Sequence, residues 1–132
     1  MLIFVYGTLR AGEANDMAEV ARRAGLAAPV LRTQAAAPGR LVDFGLYPGW
    51  LRDGEGSVVG EVYDIVPELL PLLDAIEEVD YARPGEFLRE TLQILTPQGS
   101  LSCLAYPANP ALAAHLPDIP GGDWVAHRKT RK

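Results

Sequence analysis

The sequence predicts an α+β domain whose short strands form a small, closed or nearly closed β-barrel. Three observations support this fold class. The chain opens with an apolar segment, residues 2–6, that is typical of a strand buried on both faces. One helical pattern follows, and then several short strand patterns are joined by turn residues. Because closure removes free sheet edges, a barrel suits so many short strands.

The opening strand runs directly into Gly7 and Thr8. A glycine adopts dihedral angles that other residues avoid, and it lets another molecule approach the main chain closely. The loop would therefore expose successive N–H groups where a core strand ends, and such an array suits a carboxylate or a developing oxyanion. A plain strand-to-helix turn is the alternative interpretation of these residues.

A helix is predicted next, over residues 13–26. Apolar side chains recur there at helical spacing, at Met17, Val20, Ala21 and Ala24. Acidic residues at its start and Gly25 near its end fit the charge preference and the cap of a helix.

Five further strands are predicted from alternating or β-branched segments, at residues 30–36, 40–44, 57–66, 87–96 and 100–106. The last two flank Pro97-Gln98-Gly99 and predict a β-hairpin. Residues 46–53 are predicted to be a loop held by Tyr47, Pro48 and Trp50, and residues 81–86 an irregular connection.

A short helix is predicted to start at Pro67, with an apolar stripe at Leu69, Leu70, Leu73 and Ile76. Pro71 indicates two short turns or a kinked helix that restarts at Leu72. From Pro107 onward little regular structure is expected beyond a helical turn at residues 111–115, because five prolines or glycines fall within residues 110–122.

Composition and charge narrow the classes of function. At 132 residues the chain is long enough for one domain, which we place at residues 1–126, and the formal charge of −5 argues against a nucleic-acid partner.

The basic cluster at residues 127–132 is predicted to be a frayed, solvated tail. The single cysteine, Cys103, is predicted to be buried. Because one cysteine cannot form an internal disulfide, we expect a reducing compartment, the cytoplasm. No signal peptide or membrane span is expected, and a monomer or weak homodimer is the default.

Five short motifs carry a resemblance to a known family: Tyr6-Gly7-Thr8-Leu9-Arg10, Tyr47-Pro48, Gly60-Glu61-Val62-Tyr63, Leu73-Asp74-Ala75-Ile76-Glu77 and Gly122-Asp123-Trp124. In their order and spacing the chain resembles the γ-glutamylcyclotransferase-like family, which includes the AIG2-like proteins. The resemblance implies a small mixed β-barrel with helices packed outside. It also implies an enzyme that converts a γ-glutamyl amine or γ-glutamyl amino acid into 5-oxoproline and a free amine by intramolecular aminolysis, with no metal or organic cofactor.

Glu77 is the candidate catalytic residue. Judged from helical geometry alone, it is a solvated carboxylate at a helix end. The helix dipole, desolvation and the neighbouring Glu78 and Asp80 would raise its pKa toward the value that a general base needs. The resemblance implies that Glu77 is the catalytic glutamate, acting as base and then as acid. The following residue is commonly glycine in the family and is Glu78 here.

The resemblance further implies a substrate-binding set of Tyr6, Gly7, Thr8, Leu9 and Tyr47. Tyr6 either lines the pocket or packs in the core, and Trp50 is a lid or a surface hydrophobe. Arg10 is predicted to be solvated, and Asp74 to cap the helix or hydrogen-bond locally. Phe87 stands where the family often has a tyrosine two residues before the arginine that matches Arg89. The two histidines lack partners at metal-ligand spacing, so no metal site is predicted.

Two other functions stay open at this stage. One is a binding module on the same scaffold that recognises a carboxylate-bearing small molecule without turnover. The other is the release of a γ-glutamyl protecting group from a larger biosynthetic product, for which the openness of residues 46–53 would matter. The retained Glu77 favours an enzyme.

Overall fold

The computed structural model describes residues 1–79 and 85–131. Its strands are β1 (Leu2–Val5), β2 (Val30–Pro38), β3 (Arg40–Asp43), β4 (Pro48–Leu51), β5 (Ser57–Asp64), β6 (Glu90–Thr96) and β7 (Gly99–Ala105). Its helices are α1 (Met17–Arg23), α2 (Leu70–Ile76), α3 (Pro110–Ala113) and α4 (Trp124–Thr130), with 3-10 turns at Pro67–Leu69 and Pro120–Gly122.

Five strands form one mixed sheet in the order β2-β5-β1-β7-β6. The central strand β1 is antiparallel to β5 and parallel to β7. The sheet curls into a half-barrel whose edge strands, β2 and β6, approach within 8 Å between Cα atoms. Strands β3 and β4 form a separate antiparallel pair. The predicted α+β class, with a small mixed barrel-like sheet and helices outside, is confirmed.

Strand β1 lies between two hydrophobic clusters, as its unbroken apolar run predicts. Phe4 faces the concave side of the sheet and packs in the cluster that contains Trp50 and Trp124. Ile3 and Val5 face the other side, in the cluster formed with α1 and α2. All three strand residues are at most 2% exposed. The strand that precedes the Gly7 loop is therefore held on both faces.

Helix α1 begins at Met17, four residues later than predicted. Asp16 is the N-cap, and its carboxylate accepts a 2.9 Å hydrogen bond from the N–H of Ala18. This side chain satisfies a free N–H at the helix start, so the helix begins there and not at Glu13. Residues 13–16 instead belong to the loop that leads back toward the end of β1.

The prediction of a loop over residues 46–53 is wrong, because it contains β4. Strand β4 pairs with β3 in a register that places Trp50 opposite Leu41. Trp50 is 2% exposed and makes edge-to-face contacts with Phe4 and Tyr6, at ring-centroid distances of 5.5 and 5.9 Å. Trp50 is thus a core residue and neither a lid nor a surface hydrophobe, because its ring packs in the hydrophobic cluster that also contains Phe4 and Trp124.

The frayed tail predicted from His127 is also wrong, since residues 127–130 lie in α4. Asp123 caps this helix, accepting a 3.3 Å hydrogen bond from the N–H of Ala126, and Trp124 is 1% exposed in the core. The buried Trp124 therefore anchors the start of α4, and the exposed face of this helix is basic. The division of the chain at residue 126 stays a prediction.

The remaining elements follow the sequence closely. Pro67 starts a 3-10 turn and Pro71 is the second residue of α2, so the two helical pieces that the prolines predict are observed, although α2 begins at Leu70 and not at the predicted Leu72. The β6–β7 hairpin is confirmed, although β6 begins at Glu90, three residues later than predicted. Cys103 is buried. Most of the predicted connection at residues 81–86 lies outside the described residues. None of the helices in the described ranges is long and apolar enough to cross a membrane.

Candidate active site

A cavity of about 240 Å³ opens where β1 ends, between the loop after that strand, the turn before β4 and the C-terminal end of α2. All of the predicted site residues line it: Tyr6, Gly7, Thr8, Leu9, Tyr47 and Glu77. They come from three segments that are far apart in the chain. The fold therefore brings the predicted catalytic and binding residues to one place, while their roles stay predictions.

Glu77 is the C-cap residue of α2, and its side chain is half-buried against the cavity. Burial raises the pKa of its carboxyl group from 4.5 to about 7. Among residues 1–79 and 85–131, no group hydrogen-bonds or ion-pairs with this carboxyl. A carboxyl group in this state is present in both protonation forms near neutral pH, as general acid–base catalysis requires.

Glu78 turns the chain away after Glu77. It has a positive φ of 55°, in the left-handed region that favours glycine. The N–H groups of Glu78 and Val79 donate to the carbonyl oxygens of Ala75 and Asp74, at 3.2 and 3.0 Å, which is the pattern of a Schellman motif. Glu78 is exposed at the cavity rim. Glu77 is thus the more deeply buried of the two carboxylates.

Tyr6 both lines the cavity and packs in the core. Its hydroxyl group donates a 2.7 Å hydrogen bond to the carbonyl oxygen of Tyr106 and accepts a 3.2 Å bond from the N–H of Trp50. Burial and the nearby charge of Glu77 raise the pKa of Tyr6. The two alternatives that the sequence left open for Tyr6 are therefore both observed.

The loop after β1 lines the cavity with Gly7, Thr8 and Leu9. In the described part of the chain, the N–H groups of Gly7, Thr8 and Leu9 donate to no protein acceptor. Gly7 also lies against Pro48, since a Cβ atom on Gly7 would be 2.7 Å from the Pro48 Cγ atom. Any larger residue at position 7 would push the two cavity walls apart.

Tyr47 forms the wall opposite this loop. Its hydroxyl group donates a 2.5 Å hydrogen bond to Glu86 Oε1, and this bond, together with burial, raises the pKa of Tyr47 to about 12. Its ring stacks on Phe44 at 5.2 Å and lies 5.8 Å from Phe87. Phe87 lines the cavity as part of this aromatic group.

Asp74 lies behind the cavity lining, in contact with the lining residue Tyr106, and the sequence did not predict its contacts. One carboxylate oxygen accepts a 2.7 Å hydrogen bond from the hydroxyl group of Tyr106, and the other accepts a 2.6 Å bond from Arg89. Tyr106 directly follows β7 and Arg89 directly precedes β6, so the predicted cap or local hydrogen bond is wrong. Asp74 and Glu77 are one helical turn apart, and this spacing predicts that both side chains lie on the same face of α2.

The prediction that Arg10 is solvated is wrong, because its side chain is largely covered and ion-paired. Its side chain is 12% exposed and forms ion pairs of 2.9 Å with both Glu61 and Asp123. It ties the loop after β1 to β5 and to the start of α4. Among the described residues, the charged side chains that line the cavity are three carboxylates, Glu77, Glu78 and Glu86, with no lysine, arginine or histidine.

A small cavity lined by a desolvated carboxyl group and by residues with unpaired main-chain N–H groups is typical of an acid–base site for a small polar molecule. Comparison with known proteins gives the family. Residues 3–126 match the family described as gamma-glutamyl cyclotransferase, AIG2-like. The chain belongs to the γ-glutamylcyclotransferase family.

Individual relatives agree with this assignment. The chain is 35% identical over 129 residues to the γ-glutamylcyclotransferase family protein YtfP of Escherichia coli K12, covering 98% of this chain and all of that protein. It is 41% identical over 87 residues, 64% of this chain, to the γ-L-glutamyl-butirosin B γ-glutamyl cyclotransferase of Niallia circulans, and the match spans 49% of that protein. The crystal structure of a mouse AIG2-like protein matches with a TM-score of 0.72 at 27% identity, covering 92% of this chain and 87% of that one.

Proposed function

We propose that the protein is a γ-glutamyl cyclotransferase that converts a γ-glutamyl amine or γ-glutamyl amino acid into 5-oxoproline and a free amine. The observation that carries the proposal is the carboxyl group of Glu77, with a pKa of about 7, in the same cavity as the loop after β1. Glu77 is the proposed general base and acid, and Tyr6 to Leu9 with Tyr47 form the proposed substrate site.

Substrate binding would use the main chain. The α-carboxylate of a γ-glutamyl group needs hydrogen-bond donors, and no described cationic side chain lines the cavity. The free N–H groups of Gly7, Thr8 and Leu9 supply such donors, either for this carboxylate or for the oxygen of the γ-carbonyl group. The small cavity volume suits the γ-glutamyl half, and the amine half would extend through the opening.

The proposed reaction needs one proton carrier. Ionised Glu77 removes a proton from the α-ammonium group, and the freed nitrogen attacks the γ-carbonyl carbon to close a five-membered ring. The oxygen of the resulting tetrahedral intermediate is stabilised by main-chain N–H groups. Glu77 then returns the proton to the departing nitrogen as its bond to carbon breaks, and the second proton on the ring nitrogen passes, again through Glu77, to the released amine. Because the nucleophile belongs to the substrate, holding the substrate in a bent conformation supplies much of the rate.

The leaving group is the open part of the proposal. The relative from Niallia circulans is named for γ-L-glutamyl-butirosin B, so larger amines belong in any substrate panel. The single cysteine is buried and fits a reducing compartment, so we place the activity in the cytoplasm.

The direct test is release of 5-oxoproline from γ-glutamyl amino acids, γ-glutamyl amines and γ-glutamyl-butirosin B. Glu77→Gln keeps the size of the side chain and removes the base, so turnover should fall by about 10²- to 10⁴-fold. Glu68→Gln is the matched control, since Glu68 is an exposed glutamate in the 3-10 turn before α2, and it should keep full activity.

The other outcomes are informative. Equal turnover of the wild type and Glu77→Gln would contradict the role of Glu77. An absence of turnover on the whole panel, with binding of 5-oxoproline or a γ-glutamyl compound in calorimetry, would favour a non-catalytic binding module on the same fold.

A further inference from the structure

Helix α4 and the residue after it carry basic side chains whose acidic partners lie in two segments that lead into the cavity lining. We call His127, Arg128 and Arg131 the C-terminal clamp. Their partners are Glu13, in the loop after β1, and Asp43, at the end of β3. None of the three clamp residues lines the cavity itself.

The first link joins Arg128 to Glu13. Two nitrogen atoms of the guanidinium group donate to the two carboxylate oxygens, each at 2.7 Å, and the Glu13 side chain is only 3% exposed. A bidentate pair of this kind fixes orientation as well as distance. Glu13 is therefore held in one position by a residue 115 positions away.

Glu13 is coupled to the binding loop through Asn15. The N–H of Asn15 donates to the carbonyl oxygen of Thr8 at 2.9 Å, and its side-chain amide donates to Thr8 Oγ1 at 3.1 Å. The N–H of Met17 also donates to the carbonyl oxygen of Leu9, at 3.2 Å. Residues 7–16 thus form one closed loop, and a displacement of Glu13 moves the cavity wall at Thr8.

The second link joins α4 to the opposite wall. Arg131 ion-pairs with Asp43 and donates to the carbonyl oxygen of Gly45, and His127 Nε2 lies 3.1 Å from Asp43 Oδ2. Asp43 also accepts a 2.7 Å hydrogen bond from the N–H of Gly45. The tight turn that follows carries Tyr47, whose carbonyl oxygen accepts a 3.0 Å bond from the N–H of Phe44.

Helix α4 is itself anchored, so it can act as a fixed reference for both loops. Trp124 fills the core, Asp123 is paired with Arg10, and Arg131 lies 5.2 Å from the centroid of the Trp124 ring. One rigid element therefore holds two walls that are separate in sequence.

We propose that the C-terminal clamp sets the distance between residues 7–16 and residues 43–48, and that Arg128 and Arg131 are positioning residues for substrate binding. The identity of the ligand rests on the proposed function, whereas the geometry of the clamp does not. Loss of one clamp contact lets one wall move, which weakens binding of the γ-glutamyl group and leaves Glu77 unchanged.

The kinetic test compares Arg128→Met and Arg131→Met with Arg22→Met. Arg22 makes the same two-bond contact with Glu19 on the exposed face of α1, away from the cavity, so it is a matched control. Each clamp variant should raise the KM for a γ-glutamyl substrate by roughly 3- to 30-fold, the range for residues that act through others, with kcat changed by less than about twofold. Arg128→Lys should restore part of the loss, and Arg22→Met should behave as the wild type.

Amide hydrogen exchange gives a second measurement that needs no ligand. Arg128→Met should exchange faster at residues 7–16 and Arg131→Met at residues 43–48, with the amides of β5 unchanged in both. If one variant fails to fold, the other and Arg128→Lys still decide the proposal.

Three results would overturn the clamp: wild-type KM in both variants, wild-type exchange in both loops, or faster exchange spread evenly over the chain, which indicates a merely structural role. If the wild type turns over no substrate, the proposed function fails, while hydrogen exchange still decides the clamp.

Discussion

The hydroxyl group of Tyr6 donates a hydrogen bond of 2.7 Å to the main-chain carbonyl oxygen of Tyr106, across one hundred positions of sequence. The same hydroxyl group accepts a bond from the N–H of Trp50, in β4. One side chain therefore joins the ends of β1 and β7 to the β3–β4 pair. Because both tyrosines line the cavity, this bond also fixes the shape of the proposed site.

Replacing Tyr6 by phenylalanine should destabilise the protein by about 2 kcal/mol, since it leaves a buried carbonyl oxygen and a buried N–H group without partners. Urea unfolding measures this free energy. Tyr63→Phe is the control, because within the described residues the Tyr63 hydroxyl group makes no hydrogen bond, and its effect should stay within about 0.5 kcal/mol. Equal effects of the two substitutions would show that the Tyr6 hydrogen bonds contribute no net stability.

The raised pKa of Glu77 predicts how stability depends on pH. The carboxyl group ionises near 4.5 in the unfolded chain and near 7 in the folded chain. Between these values the folded chain binds more protons, so stability falls as the pH rises through this window and does not fall further above it. At about 1.4 kcal/mol per pH unit the loss is about 3 kcal/mol at most, and smaller to the extent that solvent reaches the half-buried group.

Glu77→Gln should lack this loss. The stability of the variant relative to the wild type should therefore increase by about 2 kcal/mol between acidic and mildly alkaline pH, as measured by urea unfolding across the series. Glu68→Gln, which changes an exposed glutamate, should run parallel to the wild type. A parallel curve for Glu77→Gln as well would mean that its carboxyl group has an ordinary pKa.

Glu78→Gly should stabilise the protein by about 1 kcal/mol. Glu78 has a φ of 55°, and a side chain in this left-handed conformation carries a steric cost that glycine avoids. Thermal unfolding measures the gain. Glu78→Ala separates backbone strain from charge, since alanine keeps the Cβ atom and should give little of the stabilisation. A gain of the same size in both variants would assign the effect to the lost carboxylate.

The acidic lining predicts a preference among leaving groups. Glu77, Glu78 and Glu86 line the cavity, with no described cation there to balance them. A γ-glutamyl compound with a cationic amine half should therefore show a higher kcat/KM than one with an anionic half, by about tenfold at low salt. The ratio should shrink when salt is added and in Glu78→Gln. A ratio that is insensitive to both would assign the selectivity to shape.

Most of the strands, β4 excepted, and the location of the site follow from local patterns in the sequence. The apolar run of β1, the alternation in β5 and the hairpin turn near Gly99 are each visible in a short window of residues, and each is observed. Glu77 and the loop after β1 were identified from motifs that the fold then brings to one cavity. Patterns of this kind predict the local structure of a residue and of its neighbours in the chain.

Three of the errors concern residues whose partners are distant in sequence, whereas β4, predicted as a loop, pairs with the adjacent strand β3. Arg10 was expected in solvent because its partners, Glu61 and Asp123, are 51 and 113 positions away. Asp74 was expected to bond locally for the same reason. Local propensity does not predict α4, because the helix is stabilised by Trp124 in the core and by ion pairs with Glu13 and Asp43, which are distant in sequence.

The approach of β2 and β6 affects how copies of the protein can associate. Paired strands lie about 4.8 Å apart, so inserting a foreign strand between two edges needs about twice that spacing. Where β2 and β6 face one another they are within 8 Å, which is too narrow. Strand addition, domain swapping and fibril growth at these edges therefore require the curled sheet to spread first. A solution of the folded protein is protected from this route to aggregation as long as the half-barrel keeps its curvature.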